Sequence, residues 1–416
     1  MFDTICIFED SHFAKLYPLT LTRPVFDLRC GLTTLKGKIT RQFPQSSVSF
    51  LCRDDLAEVL QEQNPEAKVN RVDAERCFFI NGRVLFNSQF VKLLETRQER
   101  LYLHQGQLVA AHLGGANLKE MLTISEGKFD PKELPEVERV EIEADFIDYP
   151  WDLVNQNSNA IACDFNYLNR GGEIYGQVSE RATLVNKQQI YIGQNSKIKP
   201  GAVLDAEHGP IYIGSNVTIM PNAVIEGPAG VGDHSIIKIG AKIYEGTAIG
   251  EVCKVGGEVE ESIIHSFSNK QHEGFLGHAY LGQWVNLGAD TNNSDLKNNY
   301  GTVKVYVEGE MIDSGSQFVG LFMGDHSKTG INTMFNTGTV VGVMTNIFSG
   351  DYPPKFIPSF AWGGKDGFVA HHLEKALETA RCVMKRRHVQ MSSAYEKLCR
   401  HIFQITEKER KQIIQH

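Results

Sequence analysis

Two kinds of hydrophobic pattern divide the chain near its middle. In the first 150 residues, short apolar runs alternate with polar stretches, and DDLAEVLQEQ at 54–63 has helical periodicity. The runs are ICIF at 5–8, VSFLC at 48–52, CFFI at 77–80 and LVAA at 108–111. Runs of this length between helical stretches are typical of buried strands in an α/β sheet. This half therefore predicts an α/β domain, which a helical stretch at 151–165 follows.

From Ile190 the apolar residues recur at every sixth position, often with glycine directly after them. Such pairs fall at Ile192-Gly193, Ile213-Gly214, Val231-Gly232, Ile249-Gly250, Leu281-Gly282 and Leu287-Gly288. Each hexad fits a short strand that points one aliphatic side chain into a stacked core, while glycine or asparagine supplies the corner backbone. Residues from about Ile174 to Gly342 therefore predict a left-handed parallel β-helix. A β-sandwich is the alternative, but its strict alternation of apolar and polar residues is absent.

Beyond the tryptophan and two glycines at 362–364 the pattern becomes helical. In residues 367–387, apolar side chains recur on one face at Leu373, Leu377, Ala380 and Met384. Tyr395–Ile405 predicts a second helix, and both are expected to cap or clamp the open β-helix. The cations at 385–388 suit the last turn of a helix, where they interact with its dipole; a phosphate contact is the alternative. The expected domains are 1–165, 166–364 and 365–416.

Composition narrows the class of protein. A chain of 416 residues with 42% hydrophobic and 22% charged residues fits a folded globular protein. The formal net charge of -8 is spread along the chain, which argues against a nucleic-acid surface. No run approaches about 18 apolar residues, and the eight cysteines lack metal-like spacing. We therefore expect a cytoplasmic protein with reduced core cysteines and neither a membrane nor a nucleic-acid partner.

The stretch at 260–305 departs from the hexad rhythm and is rich in histidine and asparagine. It contains His272-Glu-Gly-Phe-Leu-Gly, Asn286-Leu-Gly-Ala and Asn299-Tyr300-Gly in this order. These segments resemble the acetyltransferase half of bifunctional UDP-N-acetylglucosamine pyrophosphorylase/glucosamine-1-phosphate acetyltransferases, and the resemblance covers most of residues 190–340. It implies acetyl transfer from acetyl-CoA to the amine of an amino-sugar 1-phosphate.

This chemistry needs a base for the ammonium proton, donors for the developing oxyanion and cations for the sugar phosphate. A neutral imidazole suits the first task near neutral pH, and the resemblance gives that role to His272. By the same resemblance, Asn286 and Tyr300 hold the sugar, and Lys238 and Lys304 meet the phosphate.

The sequence departs from this family at two places, and two of its features have another explanation. Phe275 stands where the bacterial enzyme has tyrosine, which removes one hydroxyl contact, and the loop at 291–301 is longer than its counterpart. An asparagine before Leu-Gly is equally well explained as a β-helix corner. The histidines at 265, 272 and 278 also fit, as an alternative, the zinc ligands of a β-helix carbonic anhydrase, although a third ligand has no clear counterpart.

The segment after the first apolar run, residues 15–29, is similar to the opening motif of sugar-1-phosphate nucleotidyltransferases. It reads Lys15-Leu-Tyr-Pro-Leu-Thr-Leu-Thr-Arg23-Pro-Val-Phe-Asp-Leu-Arg29. That family cradles the triphosphate with a glycine-rich loop, which Glu9-Asp-Ser-His-Phe-Ala replaces here. Without glycine the backbone amides approach phosphate less closely, so side-chain cations must contribute more. The resemblance implies nucleotide contacts from Lys15, Arg23 and Arg29.

Two further segments extend this resemblance. Tyr149-Pro-Trp-Asp152-Leu looks like the YPWDLL segment of archaeal two-domain relatives, and it implies that Asp152 helps to bind Mg²⁺. The partner aspartate of that family is replaced in Asn81-Gly82-Arg83. One carboxylate beside an arginine binds Mg²⁺ poorly; the alternative is that Arg83 itself contacts the phosphate.

The whole arrangement resembles a divergent bacterial group of sugar nucleotidyltransferase/acetyltransferase proteins. It implies a bifunctional enzyme that uses a sugar phosphate, acetyl-CoA and UTP or dTTP. Packing three β-helix prisms together makes clefts deep enough for acetyl-CoA, so a homotrimer is expected. The alternatives are an acetyltransferase whose N-terminal domain is a binding or regulatory module, and a non-catalytic assembly protein.

Overall fold

The computed structural model describes residues 3–87, 90–91, 98–123, 134–348 and 350–413. It confirms the predicted architecture, an α/β domain followed by a left-handed parallel β-helix and C-terminal helices. Within these ranges no helix has the length and apolar character that a membrane crossing requires.

The N-terminal domain contains a mixed sheet in which the four predicted apolar runs are neighbours. Its seven strands, from edge to edge, are Lys68–Val69, Ser47–Leu51, Thr4–Phe8, Arg76–Asn81, Gln107–Gly114, Arg100–His104 and Glu138–Glu141. The helices that pack on it are Leu35–Thr40, Asp54–Gln63 and Gly115–Thr123. The strands Thr4–Phe8, Ser47–Leu51 and Arg76–Asn81 are parallel, so their carboxyl ends share one edge of the sheet.

Two linker helices, Pro150–Asn155 and Asn157–Leu168, lead towards the β-helix. The second continues three residues past the expected domain boundary at 165. Asp164 on this helix is 1% exposed and accepts hydrogen bonds from Lys38 and Arg41. Because charge-assisted bonds are strong, they fasten the helix to the N-terminal domain.

The β-helix is a three-sided prism, and we name its sides by their strands. Face 1 contains Gln177–Val178, Lys197–Ile198, Thr218–Ile219, Ile236–Ile237, Lys254–Val255, Asn269–Lys270, then Lys328–Thr329, Asn346–Ile347, Ala361–Gly364 and Gly367–Ala370. Face 2 contains Thr183–Val185, Val203–Asp205, Val224–Glu226, Lys242–Ile243, Glu258–Glu260, Phe275–Gly277, then Asn292–Asn293 and Met334–Phe335. Face 3 contains Ile190–Ile192, Ile211–Ile213, Ala229–Val231, Thr247–Ile249, Ile263–Ile264, Tyr280–Leu281, Leu321–Met323, Thr339–Val341 and Phe356–Ile357.

The hexad aliphatics form the stacked core of this prism. On face 1, Ile198, Ile219, Ile237 and Val255 pair in register from coil to coil, and each is at most 2% exposed. At the corners, Asn195 and other residues adopt positive φ angles, here 60°, which asparagine tolerates better than most residues.

The structure corrects three expectations about where the repeats stop. Strand pairing continues through most of 260–305, and the chain leaves the prism only between Asn293 and Leu321. The excursion forms an antiparallel hairpin from Lys304–Val307 and Glu310–Asp313. The β-helix also runs past Gly342, and residues 367–370 extend face 1 as a strand instead of starting a helix.

Face 3 lies beneath the N-terminal domain. Its outward residues Ala248, Ile263, Tyr280, Phe322 and Val340 are buried in one apolar cluster with residues of the N-terminal domain. The partners from that domain include Leu16, Leu19, Val25, Leu28, Trp151 and Ile161. Much of the 15–29 segment is therefore packed against the β-helix.

The C-terminal helices clamp the two larger parts together. They span Leu373–Lys385, Ser393–Ile405 and Glu407–Ile413. Leu377, Leu398 and Ile402 share an apolar cluster with Leu56 and Val59 of the N-terminal domain. The same cluster reaches β-helix corner residues such as Val343 and Phe360.

Five of the eight cysteines are buried, as expected, Cys52 is half-buried, and two are exposed. Cys163 and Cys382 are exposed, and each lies on a helix whose other face is packed. The expectation of core positions is wrong for this pair because a helix buries only one stripe of its surface.

A buried ion pair joins the N-terminal domain to the β-helix. The side chains of Arg23 and Asp325 are 7% and 1% exposed and form a two-pronged contact. The Thr22 hydroxyl and the Gln283 backbone N–H also donate to the Asp325 carboxylate, at 2.9 and 2.8 Å. The carboxylate is therefore fully hydrogen-bonded without water.

Replacing Arg23 with methionine should destabilise the protein by about 3–5 kcal/mol, because Asp325 would remain buried without its cation. Thermal unfolding followed by circular dichroism measures the effect. The matched control is Lys397→Met, which removes an exposed ion pair between the C-terminal helix Ser393–Ile405 and Glu58 of the N-terminal domain; the two side chains are 72% and 59% exposed. The control should leave the melting temperature nearly unchanged. Equal losses in both variants would contradict the role given to the buried pair.

Candidate functional site

The carboxyl edge of the N-terminal sheet is the place where parallel α/β sheets bind ligands. Glu9 and Asp10 follow the strand Thr4–Phe8, and Arg83 follows Arg76–Asn81 almost directly. Each carboxylate there has an arginine partner, so the edge is filled by two ion-pair clusters.

The first cluster surrounds Arg83, which is 0% exposed. Its guanidinium contacts both oxygens of Asp10 at 2.8 and 2.7 Å, and Asp148 at 2.5 Å. It also donates to the Gln107 side-chain oxygen and contacts the His12 ring nitrogen, at 2.8 and 2.9 Å. Burial alone would raise the pKa of Asp10, but hydrogen bonds from His12 and Arg83 outweigh it and hold that pKa well below its usual range. All the donors of Arg83 that reach this edge are engaged within the chain.

The second cluster joins Glu9 to Arg53, with a nitrogen–oxygen distance of 2.9 Å. Glu9 also accepts the backbone N–H of Val25 at 2.9 Å, and Arg53 donates to the carbonyls of Thr20 and Arg23. Burial raises the pKa of Glu9 in spite of Arg53. Where the nucleotidyltransferase family has glycines, this chain uses a buried carboxylate to hold the 15–29 segment in place.

The four cations expected to bind nucleotide lie in two places. Lys15 and Arg83 belong to the sheet edge, and the Lys15 ammonium lies 5.5 Å from the Tyr149 ring centre. Arg23 and Arg29 turn instead to the β-helix, where they pair with Asp325 and Glu251. Their nucleotide-binding role stays a prediction, and the contact that the structure gives them is an interdomain one.

Asp152 is the third residue of the helix Pro150–Asn155, and its side chain takes part in the N-terminal cap of that helix. Its Oδ2 accepts the backbone N–H groups of Asp148 and Tyr149 at 2.9 and 2.8 Å, and burial raises its pKa to about 6. The Arg83 guanidinium lies between Asp10 and Asp148, where a cation would otherwise be attracted. Among the described residues no three His, Cys, Asp or Glu side chains are grouped as metal ligands. These residues do not fit Mg²⁺.

His272 lies on the corner between face 1 and face 2. Its ring is exposed and makes no hydrogen bond or ion pair with the rest of the described chain. Lys238 occupies the same corner two coils earlier, which corresponds to about 10 Å along the prism axis. The structure therefore places these two predicted residues on one edge of the β-helix.

A row of polar side chains runs beside this corner on face 1. Lys254, Asn269, Asn286, Lys328 and Asn346 pair in register on successive coils, about 4.8 Å apart. We call these five residues the polar row. The Asn269 amide nitrogen lies 3.4 Å from the Asn286 side-chain oxygen, so the predicted Asn286 belongs to an amide pair that sequence reasoning missed.

Further cations gather around the polar row. Arg387, which follows a C-terminal helix, donates to the Asn269 side-chain oxygen at 2.7 Å. Burial and then repulsion from Arg387 and Lys238 lower the pKa of Lys254. Burial also lowers the pKa of Lys328 to about 8. The basic run at 385–388 thus does more than neutralise a helix end, because one of its guanidinium groups reaches face 1.

Lys270 is a second residue that sequence reasoning missed. It occupies the aliphatic position of its hexad, in register with Val255, and is 2% exposed. Its ammonium donates to the carbonyls of Gly256 and His272 at 3.1 and 3.0 Å. Burial lowers its pKa to about 8. The signal in the sequence is a lysine at a hexad position that otherwise holds an aliphatic residue. In the structure, the Lys270 ammonium fixes the backbone at His272.

Tyr300 and Lys304 lie on the excursion, which leaves the prism at the corner between face 2 and face 3. Tyr300 is 67% exposed, and Lys304 stands opposite Asp313 in the hairpin. At the same corner the His278 ring nitrogen contacts Asp295 at 2.9 Å, with both side chains mostly buried. Within one chain these residues therefore lie on a different corner from His272.

The three histidines of the zinc alternative occupy three different corners. His265 lies between face 3 and face 1, where its ring contacts the Asp27 carbonyl at 3.3 Å. His272 and His278 lie on the other two corners. A zinc ion would need their rings to converge within about 2 Å of one point, and the prism keeps them apart.

Comparison with known proteins identifies the class of the N-terminal domain. A family model described as sugar nucleotidyl transferase matches residues 5–173, which include both linker helices. The N-terminal part of the chain is thus nucleotidyltransferase-like, and it is joined to a β-helix.

Two curated relatives confirm the resemblance to bifunctional enzymes. The chain is 36% identical over 106 residues to the bifunctional sugar-1-phosphate nucleotidylyltransferase/acetyltransferase of Sulfurisphaera tokodaii, covering 25% of this chain and 26% of that protein. It is 31% identical over 172 residues to Bifunctional protein GlmU of Synechococcus sp. (strain CC9311), covering 40% and 32%. The chain thus spans about a quarter to a third of the length of these relatives.

A solved structure, UDP-N-acetylglucosamine acyltransferase from Campylobacter jejuni, matches 57% of this chain and 93% of its own. The identity is 15% and the TM-score 0.26. A superposition this loose carries no argument about function.

The buried ammonium of Lys270 predicts a pH-dependent stability. Its pKa falls from about 10.5 to about 8 on folding, so its contribution to stability is present above the unfolded pKa and is lost as the pH falls through about 8. The free energy of unfolding of Lys270→Met, compared with that of the wild type, should therefore rise by about 3 kcal/mol as the pH falls from 10.5 to 7.

Melting temperatures of both proteins across this pH range measure the gain. Lys242→Met is the control, because Lys242 is 45% exposed beside Glu258 on face 2 and should show no such trend. A constant difference between wild type and Lys270→Met would show that Lys270 does not carry a buried charge.

Proposed function

We propose that this protein is a bifunctional enzyme of UDP-amino-sugar synthesis. It transfers an acetyl group from acetyl-CoA to the amine of an amino-sugar 1-phosphate, similar to glucosamine 1-phosphate. It also transfers a nucleotidyl group from UTP to a sugar 1-phosphate and releases pyrophosphate. The observation that carries the acetyl-transfer half is the polar row beside an exposed, unpaired His272. The family match over residues 5–173 and the two activities named in the relatives support the pairing.

In the acetyl-transfer step, His272 removes a proton from the ammonium group of the acceptor; the resulting amine attacks the thioester carbonyl of acetyl-CoA, the carbon–sulfur bond breaks, and coenzyme A leaves as the thiol. The His272 ring nitrogens have no partner among the described residues, so one of them is free to accept that proton. The amides of Asn269 and Asn286 are suited to hydrogen bonds with sugar hydroxyl groups, and Lys238 and Arg387 to the phosphate. Lys270 holds the His272 backbone from inside the prism and so positions the base.

We also propose that the active form is a cytoplasmic homotrimer. Tyr300 and Lys304 lie on a different corner from His272, so a site that uses all three needs a second copy to bring the two corners together. Exposed apolar side chains on the His272 corner support such a contact: Ile239, Ile331 and Phe348 are 60%, 70% and 49% exposed.

One observation favours a second candidate, an acetyltransferase whose N-terminal domain is a binding or regulatory module. The guanidinium groups of Arg23 and Arg83 are both held by carboxylates, and Asp152 is committed to a helix cap. Lys15 is the one predicted nucleotide-binding cation for which the described residues provide no ion pair. Nucleotidyl transfer would require the sheet edge to open.

A paired assay on the purified chain separates these candidates. Thiol release from acetyl-CoA is measured with glucosamine 1-phosphate, and pyrophosphate release from UTP or dTTP is measured with sugar 1-phosphates and Mg²⁺ or Mn²⁺. Both products together are the expected result. Thiol without pyrophosphate would replace the proposal with the second candidate, and neither product would favour a non-catalytic assembly protein.

His272→Ala tests the general base. It should lower kcat for acetyl transfer by about 10²–10⁴ and leave the KM for acetyl-CoA nearly unchanged. The acidic limb of the pH profile should also disappear, because that limb reports protonation of the imidazole. The melting temperature should not change, since the ring is exposed and unpaired. His208→Ala, another exposed histidine of the β-helix, is the control. An unchanged kcat in His272→Ala would remove the catalytic role.

A further inference from the structure

Arg83 stands at the position that the resemblance to nucleotidyltransferases gives to a metal-binding aspartate. Its guanidinium bridges two carboxylates, Asp10 after the first strand of the chain and Asp148 just before the first linker helix. Without the guanidinium, these carboxylates would be left beside each other without their shared cation. The substitution has therefore put a positive charge of the chain itself at the acidic part of the sheet edge.

Every nitrogen of this guanidinium has an acceptor within the chain. Asp10 accepts from Nε and Nη2 at 2.8 and 2.7 Å, and Asp148 accepts from Nη1 at 2.5 Å. The other acceptors are the Ile147 carbonyl at 3.3 Å, the Gln107 side-chain oxygen at 2.8 Å and the His12 ring nitrogen at 2.9 Å. The guanidinium thus contacts six acceptor atoms, five oxygens and one imidazole nitrogen.

This set of acceptors is close to the ligand set of a divalent metal ion. Octahedral sets of six, built chiefly from carboxylate and carbonyl oxygens, suit Mg²⁺ and Mn²⁺. Here the space between the acceptors is filled by the guanidinium, which is always charged and fully buried. A metal ion is excluded from the same space both by the atoms of the guanidinium and by the repulsion between like charges.

The surroundings of Arg83 keep the guanidinium in place. The Asn81 side chain donates to Asp10 at 2.8 Å and accepts the Arg83 backbone N–H at 3.0 Å. The Phe146 ring centre lies 4.7 Å from the guanidinium carbon, a distance at which a ring attracts a cation. Because separating a buried charge from its partners is strongly unfavourable, an added metal ion does not displace this side chain.

We propose that Arg83 is the resident cation of the N-terminal domain and excludes a divalent metal ion from the sheet edge. The guanidinium holds Asp10 and Asp148 together as a metal ion would, but it is part of the chain and cannot dissociate. The inference deepens the nucleotidyl-transfer half of the proposed function, on which the expectation of a metal rests. The charge of a phosphorylated ligand at this edge must then be met by side chains such as Lys15.

Titration of the full chain with Mn²⁺, without nucleotide or acetyl-CoA, tests this inference. Free and bound Mn²⁺ are distinguished by electron paramagnetic resonance. The wild type should bind no Mn²⁺ at the sheet edge. Arg83→Ala should gain one site per chain, with an affinity for Mn²⁺ at least about tenfold above that of the wild type, because it frees the carboxylates of Asp10 and Asp148. Adding Asp148→Asn to Arg83→Ala should remove the gained site.

The melting temperature provides a second readout. Arg83→Ala loses a buried cation and should melt at a lower temperature than the wild type. Mn²⁺ should restore part of this loss, since an ion that binds only the folded state stabilises it. Arg83→Gln removes the charge but keeps an amide for hydrogen bonding, and it replaces Arg83→Ala if that variant does not fold. Arg83→Lys retains the charge and should gain no Mn²⁺ site.

Arg53→Ala is the matched control, because Arg53 belongs to the same edge but pairs with a single carboxylate, that of Glu9. It should gain no Mn²⁺ site. The inference is overturned if the wild type binds one Mn²⁺ that Asp10→Asn removes, if the folded Arg83 variants without charge bind none, or if Arg53→Ala gains an equal site. Failure of pyrophosphate release alone would remove the nucleotidyl-transfer half of the proposed function and leave the result of the Mn²⁺ titration unaffected.

Discussion

The structure depends on the burial of face 3 of the β-helix beneath the N-terminal domain. Without that domain the prism would expose the outward side chains of Ile263, Tyr280, Phe322 and their neighbours as one apolar patch, and patches of this kind need a cover. The 15–29 segment covers much of this surface, and the Arg23–Asp325 ion pair fixes its position on the β-helix. A segment that resembles a nucleotide-binding motif is therefore shaped by its contact with the β-helix.

This arrangement links the candidate sites physically. The 15–29 segment is held on one side by Glu9 and Arg53 at the sheet edge and on the other by Asp325 and Glu251 of the β-helix. A change at either place acts on the same stretch of backbone. One position of the β-helix core is polar: the ammonium of Lys270 replaces an aliphatic side chain directly inside the His272 corner. A buried charge costs stability, and such costs are typical of functional positions.

The residues of the candidate acetyl-transfer site lie on two corners of the β-helix. The sequence predicted His272, Lys238 and Asn286 as site residues, and the structure places them along one corner and its adjoining face. Sequence reasoning missed Asn269, Arg387 and Lys270, since their importance follows from pairing between coils. Tyr300 and Lys304 were assigned from a motif whose loop is longer here, and they lie on the excursion at another corner.

The sequence by itself determined the β-helix, because every sixth residue pairs with its equivalent in the next coil and the pattern is repeated locally. It also determined the buried strands and the 54–63 helix of the N-terminal domain, whose apolar runs are continuous. Only the tertiary structure decided the roles of Arg23, Arg29 and Arg83. Each guanidinium is always charged, so its role depends on which carboxylate it meets. For Arg23 that partner lies 302 residues further along the chain, beyond the reach of any local pattern.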